Sequence, residues 1–180
     1  LPILHFEVIM SDNALTKNGF TTKDLVLCGV LMALTTVMTM IVQIPVVGAN
    51  GYVNMGDTVV LFSAMYLGRK HGAVIGGVGS ALADLISGYG VYAPVTFITK
   101  GLEGYVCGLI CEKIPNKKGN IIASIVGGAI MVSGYFIGEI FMYGGIKQSI
   151  AAAPANTLQA LFGIVTSLLI YTGVKKALKK

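Results

Sequence analysis

The chain has 180 residues, of which 54% are hydrophobic and only 12% charged, and its mean hydropathy is +0.79. A soluble domain carries about 25% charged residues, so this composition excludes a surface that faces water all round, and the length excludes an added soluble enzyme domain. The net charge of +5 would suggest nucleic acid in a soluble protein, but here the charges flank apolar segments, which points to a lipid bilayer and to no nucleic-acid partner.

Residues 1–20 read as an N-terminal segment. The stretch from Leu1 to Met10 holds His5 and Glu7 and lacks a basic region, so it is not a signal peptide. Met10-Ser11-Asp12-Asn13 reads like a natural start, with residues 1–9 foreign to the fold. Residues 21–180 predict one all-α integral membrane domain of six spans, judged against the roughly 20 apolar residues that cross hydrocarbon. The first span is Asp24 to Pro45. The second, Asp57 to Leu67, is short, and is expected to be tilted, extended around Gly56 or packed within the bundle. The third runs from Ala73 to Ile86. The fourth opens at Pro94, a favoured first helical position, and ends near Cys111. The fifth is Ile121 to Tyr143, and the sixth follows Pro154 and ends near Val174. Cys28, Cys107 and Cys111 fall in or beside these spans with no further ligand nearby, and read as reduced apolar side chains.

Lysine and arginine set the orientation. The terminal regions and even-numbered connections hold Lys17, Lys23, Arg69, Lys70, Lys113, Lys117, Lys118, Lys175, Lys176, Lys179 and Lys180, whereas the opposite connections hold only Lys147. Both termini are therefore expected in the cytoplasm, and the outer loops are Val46–Gly56, Gly88–Ala93 and Gly144–Ala153.

Ionisable groups in hydrocarbon cost about 2.5–3.5 kcal/mol on insertion scales and tend to mark substrate paths. With alternating helix direction, Asp57, Asp84, Lys100, Glu103 and Glu139 all fall toward the outer half, and Asn156 and Gln159 open the sixth span. Lys100 and Glu103 are i,i+3, Tyr135–Glu139 and Glu139–Tyr143 are i,i+4, and Asn156 and Gln159 are i,i+3, so three successive helices present polar pairs at one depth. One reading is an outward ligand pocket that fixes a polar small molecule. The other is structural: Lys100 neutralises Glu103 and locks the bundle, Asp57 and Asp84 cap helices, and Asn156 is an N-cap after Pro154.

Small residues form a second pattern. Gly29 and Ala33 lie four apart on helix one, and Gly72-Gly76-Ser80 and Ala73-Gly77-Ala81 do so on helix three. Such faces allow close helix contact in membranes, either within the chain or with a separate subunit. No P-loop, HExxH, GxSxG or His-rich cluster is present. The chain is thus expected to be non-catalytic, with no cofactor and no metal. No clear inverted repeat marks a self-contained secondary transporter.

Five fragments carry a family resemblance: Asn54-Met55-Gly56-Asp57-Thr58-Val59-Val60-Leu61-Phe62-Ser63-Ala64, Leu67-Gly68-Arg69-Lys70-His71-Gly72-Ala73, Gly79-Ser80-Ala81-Leu82-Ala83-Asp84-Leu85, Ile98-Thr99-Lys100-Gly101-Leu102-Glu103-Gly104 and Pro154-Ala155-Asn156-Thr157-Leu158-Gln159. In their order on six spans, from Thr21 to Lys175, the chain resembles the substrate-binding S components of energy-coupling factor (ECF) vitamin transporters. The branch it is most similar to holds riboflavin-, pyridoxine- and hydroxymethylpyrimidine-type members. The resemblance implies a six-helix S-component bundle in a prokaryotic plasma membrane, with a vitamin site near the outer face. It implies transport only with a membrane coupling (T) subunit and two ATP-binding cassette ATPases. Ligand contacts are implied for helices four to six and the outer loops, where Lys100, Glu103, Glu139, Tyr143, Asn156, Gln159, Asp84 and Asn54 stand. Coupling-subunit contacts are implied at Gly29, Ala33, Gly77 and Ala81, with Gly29 where the family motif has alanine. The expected ligand is a small polar heteroaromatic vitamin, pyridoxine or hydroxymethylpyrimidine. The competing expectation is a stand-alone proton-coupled transporter that uses Asp84, Glu103 and Glu139.

Overall fold

A computed structural model describes residues 22–45 and 52–178. The expectations for residues 1–20, including the start at Met10, lie outside the described residues. Six helices occupy the described chain: α1 (Thr22–Ile41), α2 (Gly56–Leu67), α3 (Arg69–Ile86), α4 (Ala93–Lys113), α5 (Lys117–Tyr143) and α6 (Ile146–Leu178). Two short strands, β1 (Ile44–Pro45) and β2 (Tyr52–Val53), pair antiparallel, with Ile44 opposite Val53. By length and composition α1, α5 and α6 are able to cross a membrane.

The bundle is apolar outward. Leu25, Val26, Ile41, Ile98, Phe141, Leu158 and Leu169 all face out, a surface that lipid solvates and water does not. Polar groups lie inside, as in other membrane bundles.

Helix α2 explains the architecture. At 1.5 Å per residue its 12 residues reach about 18 Å, well short of the ~30 Å hydrocarbon layer. Nine of the 12 are buried, and α2 touches all five other helices. Of the arrangements open to the short second span, packing within the bundle is the one adopted. Leu61, Ala64 and Met65 pack with Cys107, Cys111 and Ala123 on one side, and Val59 packs with Cys28, Leu31 and Ile75 on the other. All three cysteines are free and buried.

Glycines bring α3 and α4 into backbone contact. A Cβ on Gly72 would lie 2.8 Å from the Gly104 carbonyl oxygen and 2.7 Å from the Ala64 Cβ. Such small-residue crossings replace the hydrophobic drive that lipid removes. At Gly68 the chain reverses from α2 into α3 through φ +87°, a conformation that glycine adopts without a Cβ clash.

Five boundaries depart from the sequence expectation by a turn or more, among them the start of α5 at Lys117 rather than Ile121 and the end of α6 at Leu178 rather than near Val174. Helix α1 ends at Ile41 rather than Pro45, because the residues before a proline favour extended backbone and here form β1. Helix α3 begins at Arg69, one turn before the predicted Ala73. The largest correction concerns the loop Gly144–Ala153 and the sixth helix. Helix α6 begins at Ile146, so the connection shrinks to Gly144 and Gly145, Pro154 lies inside the helix, and Asn156 is not an N-cap. Proline removes only one helical hydrogen bond, and the preceding Ala151-Ala152-Ala153 run strongly favours helix on both sides of it.

Candidate functional site

At the end of the bundle that carries the β1–β2 hairpin, polar side chains from five elements converge. Asn54 follows β2, and its side-chain oxygen accepts from the Gly56 backbone N–H at 2.9 Å, which fixes the entry to α2. Asp84 comes from the last turn of α3, and Tyr89 and Tyr92 from the α3–α4 connection. Thr96 lies in the first turn of α4, Tyr135 and Glu139 in α5, and Asn156 and Gln159 in α6. Together with Tyr52 and Ala152 they line a cavity of about 40 Å³.

The hydrogen bonds of this cavity are incompletely satisfied. The Tyr52 hydroxyl donates to Asp84 Oδ1 at 2.8 Å. Burial, and then the Asp84 charge beside it, pushes the Tyr52 phenol well above its ordinary range, so it stays a proton donor. Asp84 Oδ2 and Glu139 Oε2 are buried without a well-formed hydrogen bond, with the Thr96 hydroxyl beside Asp84 and the Tyr92 hydroxyl beside Glu139 as weak partners. A buried acceptor that is poorly satisfied is costly, so a ligand that brings a stronger donor to either oxygen would be favoured there. Aromatic groups frame them. Tyr52 and Tyr89 have ring centroids 4.7 Å apart, the Tyr135 hydroxyl donates to Thr96 Oγ1 at 3.0 Å, and the Tyr143 hydroxyl donates to the Tyr92 hydroxyl at 3.1 Å.

Beneath the cavity lies a buried ion cluster. Lys100 Nζ contacts Asp57 Oδ1, and it lies 3.2 Å from Glu103 Oε2. Lys100 is 2% exposed and each carboxylate residue 1%. The cluster ties α4 to α2. Gln159 joins the two levels: its Oε1 accepts from the Asn54 backbone N–H at 2.7 Å, and its Nε2 donates to Asp57 Oδ2 at 2.6 Å. Close approach is possible because Gly163, one turn further along α6, faces Asp57, where an added Cβ would lie 2.7 Å from the Asp57 Cβ.

The structure thus gathers Asn54, Asp84, Glu139, Asn156 and Gln159 at one cavity. Lys100 and Glu103 do not line it and sit in the ion cluster instead, and Tyr143 stands one hydrogen bond behind Tyr92. Tyr52, Tyr89, Tyr92, Thr96, Tyr135 and Ala152 complete the lining without having been selected from sequence. Tyr135 carried a signal, its i,i+4 spacing to Glu139. The other tyrosines sit in the two-residue strand β2 and in the α3–α4 connection, where no periodicity singles them out. Of the small-residue positions, Gly29 and Ala33 are exposed on α1, and a Cβ on Gly29 would meet nothing within 4 Å. Gly77 and Ala81 are buried within the chain, and a Cβ on Gly77 would lie 3.0 Å from the Phe97 carbonyl oxygen. Among the described residues no cluster of His, Cys, Asp or Glu is arranged to hold a metal.

A helical bundle with a lipid-facing exterior defines a membrane-embedded protein, and its polar, tyrosine-lined cavity at one end is a candidate small-molecule site. Comparison with known proteins gives the particular family. Residues 19–176 match the family described as ECF-type riboflavin transporter, S component, and the chain belongs to this family of ECF S components. It is 31% identical over 164 residues to the thiamine precursor transporter HmpT of Lactococcus lactis subsp. cremoris (strain MG1363), covering 88% of this chain and 94% of that protein. It is 37% identical over 130 residues to an uncharacterized protein in the gap 3′ region of Pyrococcus woesei, covering 72% of this chain and 86% of that protein. Its fold matches a solved structure described as the S component of a bacterial ECF transporter, with a TM-score of 0.68 and 20% identity over 88% of this chain and 98% of that one.

Proposed function

We propose that this S component captures a small heteroaromatic vitamin of the hydroxymethylpyrimidine type at the hairpin end, on the outer face of a prokaryotic plasma membrane. Delivery then requires a membrane coupling subunit and two ATP-binding cassette ATPases, as membership of the ECF S-component family implies, and the chain carries no nucleotide-binding motif of its own. The observation that carries the reading is the pair of buried carboxylates, Asp84 and Glu139, both lining a tyrosine-lined cavity and neither fully satisfied. A pyrimidine with an amino and a hydroxymethyl group supplies donors to both carboxylates and a flat ring for the tyrosines. The likeness to a thiamine precursor transporter supports the same class.

Size favours one ring over three. A volume of about 40 Å³ holds a few waters at about 10–15 Å³ each, so even a single ring enters only if Tyr52 of the hairpin and Tyr89 of the α3–α4 connection move outward. A three-ring flavin would demand far more rearrangement. The coupling subunit is assigned to the exposed α1 face around Gly29 and Ala33, since Gly77 and Ala81 are already packed inside the chain. Uptake of labelled hydroxymethylpyrimidine tests this function. Cells that express the chain together with the coupling subunit and ATPases should accumulate it against a gradient, and cells with the chain alone should not. Robust, ATP-independent uptake by the chain alone would instead favour a stand-alone transporter.

A further inference from the structure

The opposite end of the bundle holds a second, much larger concavity. Because α2 stops at Leu67, the space beyond it is left to α4, α5 and α6, which run on past it. The result is a groove of about 1110 Å³ between the C-terminal turns of α2, α4 and α6 and the start of α5. Its walls are largely apolar, with Met65, Leu67, Ile121, Val165, Leu168 and Leu169 among them. Its mouth carries Lys117, Lys175 and Lys176.

The charge at that mouth is unbalanced. The acidic residue of the lining, Glu112, is engaged by Arg69, whose Nε lies 3.4 Å from one carboxylate oxygen while its backbone N–H donates to the other at 2.9 Å. The lysines keep their positive charge available. Lys175 is held at the rim by Tyr171, with Nζ 3.3 Å from the hydroxyl and 5.4 Å from the ring centroid. A largely apolar groove that is also lined by three exposed lysines is complementary to one kind of molecule: acyl chains along its walls and a negative headgroup at the lysines. Basic pockets between membrane helices recognise anionic headgroups in this way.

We infer that this groove is a binding site for an anionic phospholipid, whose tail completes the bundle beneath the short α2 and whose phosphate is held by Lys117, Lys175 and Lys176. The site lies at the end remote from the vitamin cavity and does not depend on which vitamin is bound.

The chain contains no tryptophan, so one introduced by Leu169→Trp reports on the groove, and one introduced by Val30→Trp reports on the outward face of α1. Each variant is reconstituted in phosphatidylcholine vesicles with increasing brominated phosphatidylglycerol, and quenching gives the affinity for the anionic lipid relative to phosphatidylcholine at each position. The expected preference is up to about a hundredfold at residue 169, from three lysines that each contribute roughly fivefold, and close to onefold at residue 30. Replacing Lys117, Lys175 and Lys176 with Gln in the Leu169→Trp background should lower the preference to within about twofold, whereas Arg at the same positions should retain it. Equal preferences at residues 169 and 30, or a preference that survives the Gln substitutions, would overturn the assignment. So would failure of the brominated lipid to quench residue 169 at any proportion, which would mean that a protein segment fills the groove.

Discussion

Replacing Lys100 with Met gives the sharpest view of how the membrane interior is held together. Met keeps an unbranched chain of similar length, so the substitution removes a charge with little change of volume. It leaves Asp57 and Glu103, each 1% exposed, as carboxylates with no cation. Gln159 Nε2 still donates to Asp57 at 2.6 Å, but Glu103 Oε2 then has no partner. Removing one member of a buried ion pair costs about 3–5 kcal/mol because the other charge stays desolvated. For a domain of this size that corresponds to a fall in Tm of about 6–20 °C. The protein provides its own reporter, since Cys28, Cys107 and Cys111 are free and buried and react with a thiol-specific fluorogenic dye only on unfolding. The melting temperature in detergent micelles should therefore drop steeply for Lys100→Met. It should largely recover when Asp57→Asn and Glu103→Gln are added, because no orphaned charge remains. A single variant that loses less than about 1 kcal/mol, a shift of roughly 2–4 °C, would refute the reasoning, as would a triple variant no more stable than the single one.

Gln159→Ala removes both bonds between the hairpin and the ion cluster, and at about 0.5–1.5 kcal/mol for each bond it should weaken vitamin binding several-fold in equilibrium titrations. Undiminished affinity would mean that the hairpin is held by other means. Gly72→Ala forces a methyl group against the Gly104 carbonyl and Ala64, and overpacking of that kind costs about 1–3 kcal/mol, read as a lower melting temperature. Gly29→Leu, on the open face of α1, should leave the isolated subunit as stable and as competent in binding as the parent, but it should fail to co-purify with the coupling subunit. Co-purification at parental yield would move the docking surface elsewhere.

The amino-acid pattern revealed much of this molecule, and its misses have physical causes. Span positions were legible because lipid demands long apolar runs. The buried role of α2 was left open because 12 residues read equally as a tilted span or a core helix. Pro154 misled because proline usually marks a helix start, while here the alanines before it extend α6 by two turns. Asp84, Glu139, Asn156 and Gln159 stood out because polar groups in apolar helices are rare. Spacing alone also grouped Lys100 and Glu103 with them. Their i,i+3 relation is the same for a ligand clamp and for an internal ion pair, and Asp57, brought beside Lys100 from another helix, adds a second carboxylate that spacing alone does not show. The tyrosines that frame the cavity come from β2, the α3–α4 connection and α5, a convergence that only the fold creates.

Calorimetric titration of hydroxymethylpyrimidine, pyridoxine and riboflavin into the purified subunit tests the central claim most directly, when the parent is compared with the Asp84→Asn/Glu139→Gln variant. The account predicts saturable one-to-one binding of hydroxymethylpyrimidine to the parent, weaker binding of the other two, and a loss of about tenfold or more in the variant, since hydrogen bonds to charged groups contribute about 1.5–3 kcal/mol each. Tight riboflavin binding with none of the pyrimidine, or pyrimidine affinity unchanged in the variant, would contradict it.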